Sequence, residues 1–115
     1  MEIQVKKAIN ILDGQHEGII TNIRYRSKPY EYLDLEIEIK QGEDFVTLKC
    51  GYPQIISTNS KLGYLLSRFG ESLEEGKSID PDKVLIGKQC RFKTMTETNI
   101  KGKFAKIIPD SIMPK

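Results

Sequence analysis

Cationic and aromatic side chains are the residues of this sequence whose types and spacing could do chemistry. Cations attract phosphate groups, and flat rings stack on nucleic-acid bases, each stacked base being worth about 1–3 kcal/mol. Ten residues are candidates for such a surface: Arg24, Arg26, Tyr30, Tyr32, Lys49, Tyr52, Arg91, Lys93, Lys101 and Lys103. Together these residue types favour a surface that contacts the phosphates and bases of a nucleic acid.

The placement of charge along the chain is more informative than its total. The chain has 18 Lys and Arg residues against 16 Asp and Glu residues, a formal net charge of +2. Residues 84–115 have seven basic side chains and two acids, a balance of +5, whereas residues 31–45 have six acids and one lysine, a balance of −5. One side of the molecule is therefore expected to be positive and another negative.

Asp34, Glu36 and Glu38 form an acidic stripe at every second position of one predicted strand. Carboxylates on one face could hold a metal or act as an acid–base pair, but the simpler interpretation is the solvated face of an amphipathic strand. Because this strand should border the candidate surface, the stripe predicts a ligand groove restricted to the Tyr32 end, a modest affinity, or an acidic side that binds a protein.

Catalytic and metal-binding patterns are missing from the sequence. His16 is the only histidine, there is no G-x-S-x-G nucleophile motif, and the nine glycines follow no phosphate-binding pattern. Cys50 and Cys90 lie 40 positions apart with no second Cys or His near either, so metal-ligand spacing is lacking. We expect two reduced core cysteines, with a disulfide as the alternative, in a protein that is not an enzyme and uses no cofactor or metal.

Alternation of apolar and polar residues predicts five strands. They lie at residues 18–26, 32–40, 45–50, 89–95 and 103–108. The second strand alternates strictly, which indicates one buried and one wet face. Ile20 and Ile23 of the first strand are three positions apart, so both can face the core only if a β-bulge separates them.

A change of period between the third and fourth strands predicts a helix. Leu62, Leu65, Leu66 and Phe69 follow helical spacing, with Asn59 or Ser60 as the N-cap and Gly70 as the end of the helix. Asp80 followed by Pro81 predicts one more helical turn before the fourth strand. The aromatic residues expected in the core are Tyr25, Phe69, Phe92 and Phe104.

Length and composition are those of one small domain. The chain of 115 residues has room for a single core, and its 38% apolar and 30% charged residues are ordinary for a globular protein. No apolar run approaches the roughly 18–20 residues of a membrane span, and residues 1–7 have no apolar signal region. We expect a cytoplasmic protein without membrane contact, with an N-terminal extension at residues 1–15 and a domain at residues 16–115.

Three strands, one helix and two strands, in that order, predict an all-β fold with one helix, the five-stranded Greek-key barrel of the OB-fold. The segments that support this assignment are residues 17–23 (EGIITNI), 60–70 (SKLGYLLSRFG), 85–92 (LIGKQCRF) and 102–107 (GKFAKI). Through them, residues 16–114 resemble single-domain OB-fold single-stranded DNA-binding proteins of the replication protein A kind, of phage or mobile-element type. The resemblance implies a ligand face on the second and third strands and the adjoining loops, where Tyr30, Tyr32 and Lys101 fall.

Two functions from different classes remain open. The first is sequence-tolerant, non-enzymatic binding of single-stranded DNA, or of RNA, in replication or recombination, through a basic groove and stacking rings. The alternative is an OB-fold adaptor that binds a protein partner through the acidic strand face or the acidic connector at residues 71–83, without nucleic acid. A third option is a domain that works only as a homo-oligomer.

Overall fold

The computed structural model describes residues 1–5 and 11–115 of the chain, which form six strands, two short α-helices and a 3-10 turn at Pro109–Ser111. The elements are β1 (Gly14–Arg26), β2 (Tyr32–Gln41), β3 (Asp44–Pro53), α1 (Lys61–Arg68), α2 (Pro81–Leu85), β4 (Gln89–Asn99), β5 (Gly102–Ile107) and β6 (Met113–Pro114). The prediction of an all-β class with little helix is confirmed. The longest helix, α1, has eight residues, and none in the described ranges has the length and apolar character to cross a membrane.

One antiparallel sheet contains all six strands. Its order is β3-β2-β1-β4-β5, and β6 pairs with β4. β1 is shared between two partners, because residues 19–26 pair with β2 and residues 14–19 pair with β4. β3 and β5 stand at the ends of this order and come close together, but no backbone hydrogen bond joins them within the described ranges. The sheet is therefore not closed into a barrel.

The apolar faces of the first three strands form half of the core. Leu33, Leu35, Ile37 and Ile39 of β2 are all buried, as their strict alternation predicts. The predicted bulge in β1 is also present, because the register with β2 shifts between Ile20 and Asn22. The extra residue turns both Ile20 and Ile23 inward, and both are buried.

Helix α1 covers one part of the sheet and begins at the predicted cap. Ser60 is the N-cap, and its hydroxyl accepts a hydrogen bond from the Gly63 amide at 2.9 Å. A Cβ atom at Gly63 would lie only 1.8 Å from the Ser57 carbonyl oxygen, so the helix packs directly against backbone there. Gly70 ends the helical segment with a φ of 90°, a left-handed conformation that favours glycine.

The aromatic core is smaller than predicted. Phe92 is buried and Phe69 is partly buried, but Tyr25 is 50% exposed and Phe104 is 44% exposed, so the core prediction is wrong for these last two. The Tyr25 hydroxyl reaches from the end of β1 and donates to Asp82 Oδ1 of α2 at 2.8 Å. Partial burial and this hydrogen bond raise the pKa of the Tyr25 hydroxyl. Phe104 lies on the outer side of β5, opposite Glu97.

The chain just ahead of β1 is attached to β4. Thr94 Oγ1 donates to the Leu12 carbonyl at 3.0 Å, and Thr96 Oγ1 donates to Asp13 Oδ1 at 2.7 Å. β1 starts at Gly14, so the domain boundary predicted at residue 16 falls inside the strand. Residues 6–10 of the predicted extension lie outside the described residues.

Candidate functional site

An open pocket lies where the β1–β2 loop meets the end of β3. It is lined by Tyr30, Glu31, Tyr32, Pro53, Gln54 and Ile55.

 We call this site the tyrosine pocket. Its volume of 510 Å³ falls within the range of small-ligand sites in proteins, about 300–1,000 Å³. The Tyr30 side chain is 71% exposed at its rim, so a flat ligand can reach the ring.

Gln54 holds the two sides of the tyrosine pocket together. Its side-chain amide donates to the Tyr32 carbonyl at 2.6 Å and to the Arg26 carbonyl at 3.1 Å. Its backbone amide donates to the Glu31 carbonyl at 3.0 Å. These three bonds fix both ends of the β1–β2 loop on the end of β3. Sequence reasoning missed Gln54, because its role depends on the pairing of Tyr32 with Pro53 across the two strands.

Arginines of β1 lie beside the tyrosine pocket and are paired with the acidic stripe. The Arg26 guanidinium lies 5.2 Å from the centre of the Tyr32 ring. It also binds Asp34 through two contacts, Nε to Oδ2 at 2.6 Å and a terminal nitrogen to Oδ1 at 3.0 Å. Arg24 binds Glu36, the next carboxylate along β2, through one contact between Nε and Oε1. The Asp34 and Glu36 side chains are only 18% and 12% exposed, so the interpretation of the stripe as a solvated face is wrong for these two residues.

The surface of β3 beside these ion pairs is left clear by a glycine. Gly51 pairs with Asp34 in the β2–β3 register, and a Cβ atom there would lie 3.0 Å from Asp34 Oδ1 and 3.4 Å from the Tyr32 ring. Lys49, two residues earlier on the same face, is exposed and lies opposite Glu36. Arg24, Arg26, Tyr32 and Lys49 thus share one outer face of the sheet with the tyrosine pocket at its end.

Tyr52 does not belong to this surface, and its assignment as a base-stacking residue is corrected by the structure. Its side chain is completely buried, and its hydroxyl donates to the Pro109 carbonyl at 2.7 Å. Burial raises the pKa of this hydroxyl. The position follows from the alternation of β3, because Tyr52 lies two residues after the buried Cys50 and so faces the same side.

Arg91 and Lys93 lie on the outer face of β4, apart from the tyrosine pocket in strand order. Arg91 Nε is 3.8 Å from Glu17 Oε1 of β1, and Lys115 Nζ lies 2.8 Å from the other oxygen of that carboxylate. The hydrogen bond and the charge of Lys115 lower the pKa of Glu17. Arg91 is thus engaged at a carboxylate, whereas the Lys93 side chain is exposed.

Lys101 and Lys103 lie in the β4–β5 hairpin. Lys101 is exposed in the turn, where its backbone amide donates to Asn99 Oδ1 at 2.8 Å. Lys103 lines a second open groove of about 840 Å³ between β3, β5 and residues 11–13 ahead of β1. The ten predicted residues are therefore distributed over several parts of the surface, and the structure groups Arg26, Tyr30 and Tyr32 most closely.

The two cysteines and the histidine of the chain are held in contacts within the fold. Cys50 and Cys90 are free and buried, and burial raises the pKa of each thiol to about 11. His16 Nε2 donates to the Leu12 carbonyl at 2.6 Å, which ties β1 to the chain ahead of it. Among residues 1–5 and 11–115, no three His, Cys, Asp or Glu side chains converge where they could hold a metal ion.

Known proteins add no residue assignment to this geometry. No family model matches the sequence, and a search of curated proteins gives no match. The chemistry of the site is therefore inferred from the tyrosine pocket, its arginine and the charges around it.

Proposed function

We propose that this protein binds single-stranded DNA without catalysing a reaction, by stacking bases in the tyrosine pocket and pairing phosphates with the cations beside it. The observation that carries the proposal is the grouping of Tyr30, Tyr32 and Arg26 at one open pocket. Stacking surfaces accept any base, so recognition would be tolerant of sequence. Such a protein would protect or present DNA inside the cell during replication or recombination.

The fold assignment that goes with this proposal is an OB-type barrel that is partly open. Its support is the central position of β1 between β2 and β4, and the placement of α1 between β3 and β4. OB-folds bind oligonucleotides on the second and third strands and on the loops that adjoin them. The tyrosine pocket lies at the corresponding loop and strand ends.

The acidic stripe limits the affinity that this surface can reach. The carboxylates of Asp34 and Glu36 are mostly buried, at 18% and 12% side-chain exposure, so a phosphate that takes over either arginine leaves a mostly buried carboxylate without its partner. Each such exchange therefore costs part of the binding free energy that the phosphate contact contributes. Two stacked bases would contribute about 2–6 kcal/mol. Stacking is therefore expected to supply more of the binding free energy than the arginines do.

Fluorescence anisotropy with labelled oligo-dT tests the proposal. Tyr30→Ala and Tyr32→Ala should each weaken binding by about 5- to 150-fold, the equivalent of one stacked base. Tyr64→Ala is the matched control, because Tyr64 is an exposed tyrosine on α1 outside the pocket. Absence of binding at low salt, or an equal loss in the control, would contradict the proposal. Oligo-rU in the same assay separates DNA from RNA preference.

The cations of the β4–β5 hairpin require a separate variant. Lys101→Glu with Lys103→Glu should weaken binding and flatten its salt dependence if the hairpin reaches the phosphate backbone. Binding that is untouched by this double variant would restrict the interface to the tyrosine pocket and the outer face of β1–β3.

A protein-binding adaptor is the second candidate, and one groove favours it. Residues 56–58 and the acidic connector form a groove of about 380 Å³ that contains Ile56, Glu74 and Glu75. Glu74→Lys with Glu75→Lys should abolish capture of a basic partner protein while leaving oligo-dT binding intact. Loss of DNA binding in this variant would instead indicate that the acidic connector is part of the nucleic-acid-binding surface.

A further inference from the structure

The side-chain groups left unbonded in the tyrosine pocket are mainly hydrogen-bond acceptors. Glu31 lies between Tyr30 and Tyr32 in the sequence, and all three residues line the pocket. Within residues 1–5 and 11–115, the Glu31 carboxylate has no hydrogen bond or ion pair. Both hydrogens of the Gln54 side-chain amide are donated to backbone carbonyls, which leaves its oxygen as a second acceptor. The two tyrosine hydroxyls can donate or accept, so they do not discriminate between ligands.

Backbone hydrogen bonds hold Glu31 at the tyrosine pocket. Its carbonyl accepts from the Gln54 backbone amide at 3.0 Å, and the adjacent Tyr32 carbonyl accepts from the Gln54 side chain at 2.6 Å. The Arg26 guanidinium is bound to Asp34, so it does not pair with Glu31. The exposed Glu31 side chain is therefore available to accept hydrogen bonds from a ligand that stacks on the neighbouring rings.

The four DNA bases differ in the donors that their Watson–Crick edges present to a carboxylate. Guanine presents two adjacent donors, N1–H and the 2-amino group, which match the two oxygens of one carboxylate. Adenine and cytosine each present one amino group beside a ring-nitrogen acceptor. Thymine presents a single N3–H between two carbonyl oxygens, which a carboxylate repels. A carboxylate at the edge of a stacking pocket therefore favours guanine most and thymine least.

We propose that Glu31 makes the tyrosine pocket prefer guanine, by accepting hydrogen bonds from N1–H and the 2-amino group of a base stacked on Tyr30 or Tyr32. This inference rests on the proposed binding of single-stranded DNA and adds a specificity-determining residue to it. Stacking supplies affinity for every base, so the other bases still bind. A bidentate contact to a base edge discriminates by about 5- to 150-fold, and the open pocket places Glu31 at the lower end of this range.

Anisotropy titrations with short oligonucleotides that differ at one central base test the preference. A strand of dT with one central dG should bind about fivefold more tightly than dT alone. Deoxyinosine at the same position lacks the 2-amino group and should lose most of this gain. 7-Deazaguanine retains both donors and should keep the gain, so it is the matched control for the purine ring.

Two isosteric variants test the residue. Glu31→Gln keeps the size of the side chain but replaces one acceptor with a donor, so the advantage of dG over dT should fall below about twofold. Affinity for oligo-dT should stay the same or rise, because a negative charge beside the strand has been removed. Glu43→Gln is the matched control, since it removes the same charge from the exposed β2–β3 turn and should preserve the dG advantage.

The outcomes separate this inference from the proposed function. Equal affinity for dG, dT and deoxyinosine, with binding that still requires Tyr30 and Tyr32, would overturn the guanine preference alone. A dG advantage that persists in Glu31→Gln, or falls equally in Glu43→Gln, would overturn the role of Glu31. Absence of binding to every oligonucleotide at low salt would overturn both the preference and the proposed function.

Discussion

Replacing Asp34 by Asn and Glu36 by Gln together tests how strongly the acidic stripe restrains the arginines of β1. Each substitution keeps an oxygen acceptor and removes one negative charge, so Arg24 and Arg26 become free to neutralise two phosphates. Each such cation steepens the dependence of log K on log salt concentration by about 0.7 for a single strand, which gives about 1.4 for two. Between 50 and 200 mM salt, this added slope corresponds to about a sevenfold larger loss of affinity.

Anisotropy titrations of oligo-dT at several salt concentrations measure this slope directly. At low salt the double variant should bind more tightly than the unmodified chain, and its advantage should shrink by about sevenfold over the stated range. Glu71→Gln with Glu75→Gln is the matched control, because it removes the same charge from the acidic connector. An unchanged slope in the stripe variant, or an equal steepening in the control, would refute the argument that the stripe competes with phosphate.

Three further predictions concern the core. Tyr52→Phe leaves the Pro109 carbonyl without its donor and should cost about 1–3 kcal/mol in urea unfolding, with oligo-dT affinity unchanged; an unaltered stability would contradict this. Gly63→Ala should lose about 1–3 kcal/mol because its Cβ meets the Ser57 carbonyl, whereas a gain of about 1 kcal/mol, as alanine gives in an open helix, would contradict the packing. Both thiols should resist iodoacetamide at pH 8 in the native state, and because the folded chain keeps them protonated, stability should fall between pH 9 and about 11. Native labelling as fast as in denaturant would contradict that pKa shift.

Local patterns in the sequence predicted those parts of the fold that local physics decides. The four apolar residues of β2 alternate without exception, and Ser60 and Gly70 provide side-chain and backbone signals for the two ends of α1. β6 was not predicted, because a two-residue strand has no period. The open gap between β3 and β5 depends on how far the sheet curls, which no single segment determines.

The candidate site was predicted less well, because it depends on pairing between strands. The partnership of the β1 arginines with the acidic stripe follows from the β1–β2 register, which the bulge near Ile20 shifts. The alternation of β3 could have placed Tyr52 correctly in the core. Val46, Leu48 and Cys50 predict the inner face of this strand, and Tyr52 is the next residue on that face. Phe104 has the same explanation on β5, where Ala105 and Ile107 occupy the more buried face.

The two partners of β1 lie at very different distances along the chain. Pairs with β2 join residues about 6–19 positions apart, whereas pairs with β4 join residues about 70–80 positions apart. At the usual rate of synthesis of about 5–20 residues per second, β4 is completed about 4–16 s after β1 has emerged from the ribosome. During that interval the edge at residues 14–19 is open to strands of neighbouring nascent chains. The arrival of β4 closes this edge, so the last third of the chain protects the first third from misassembly.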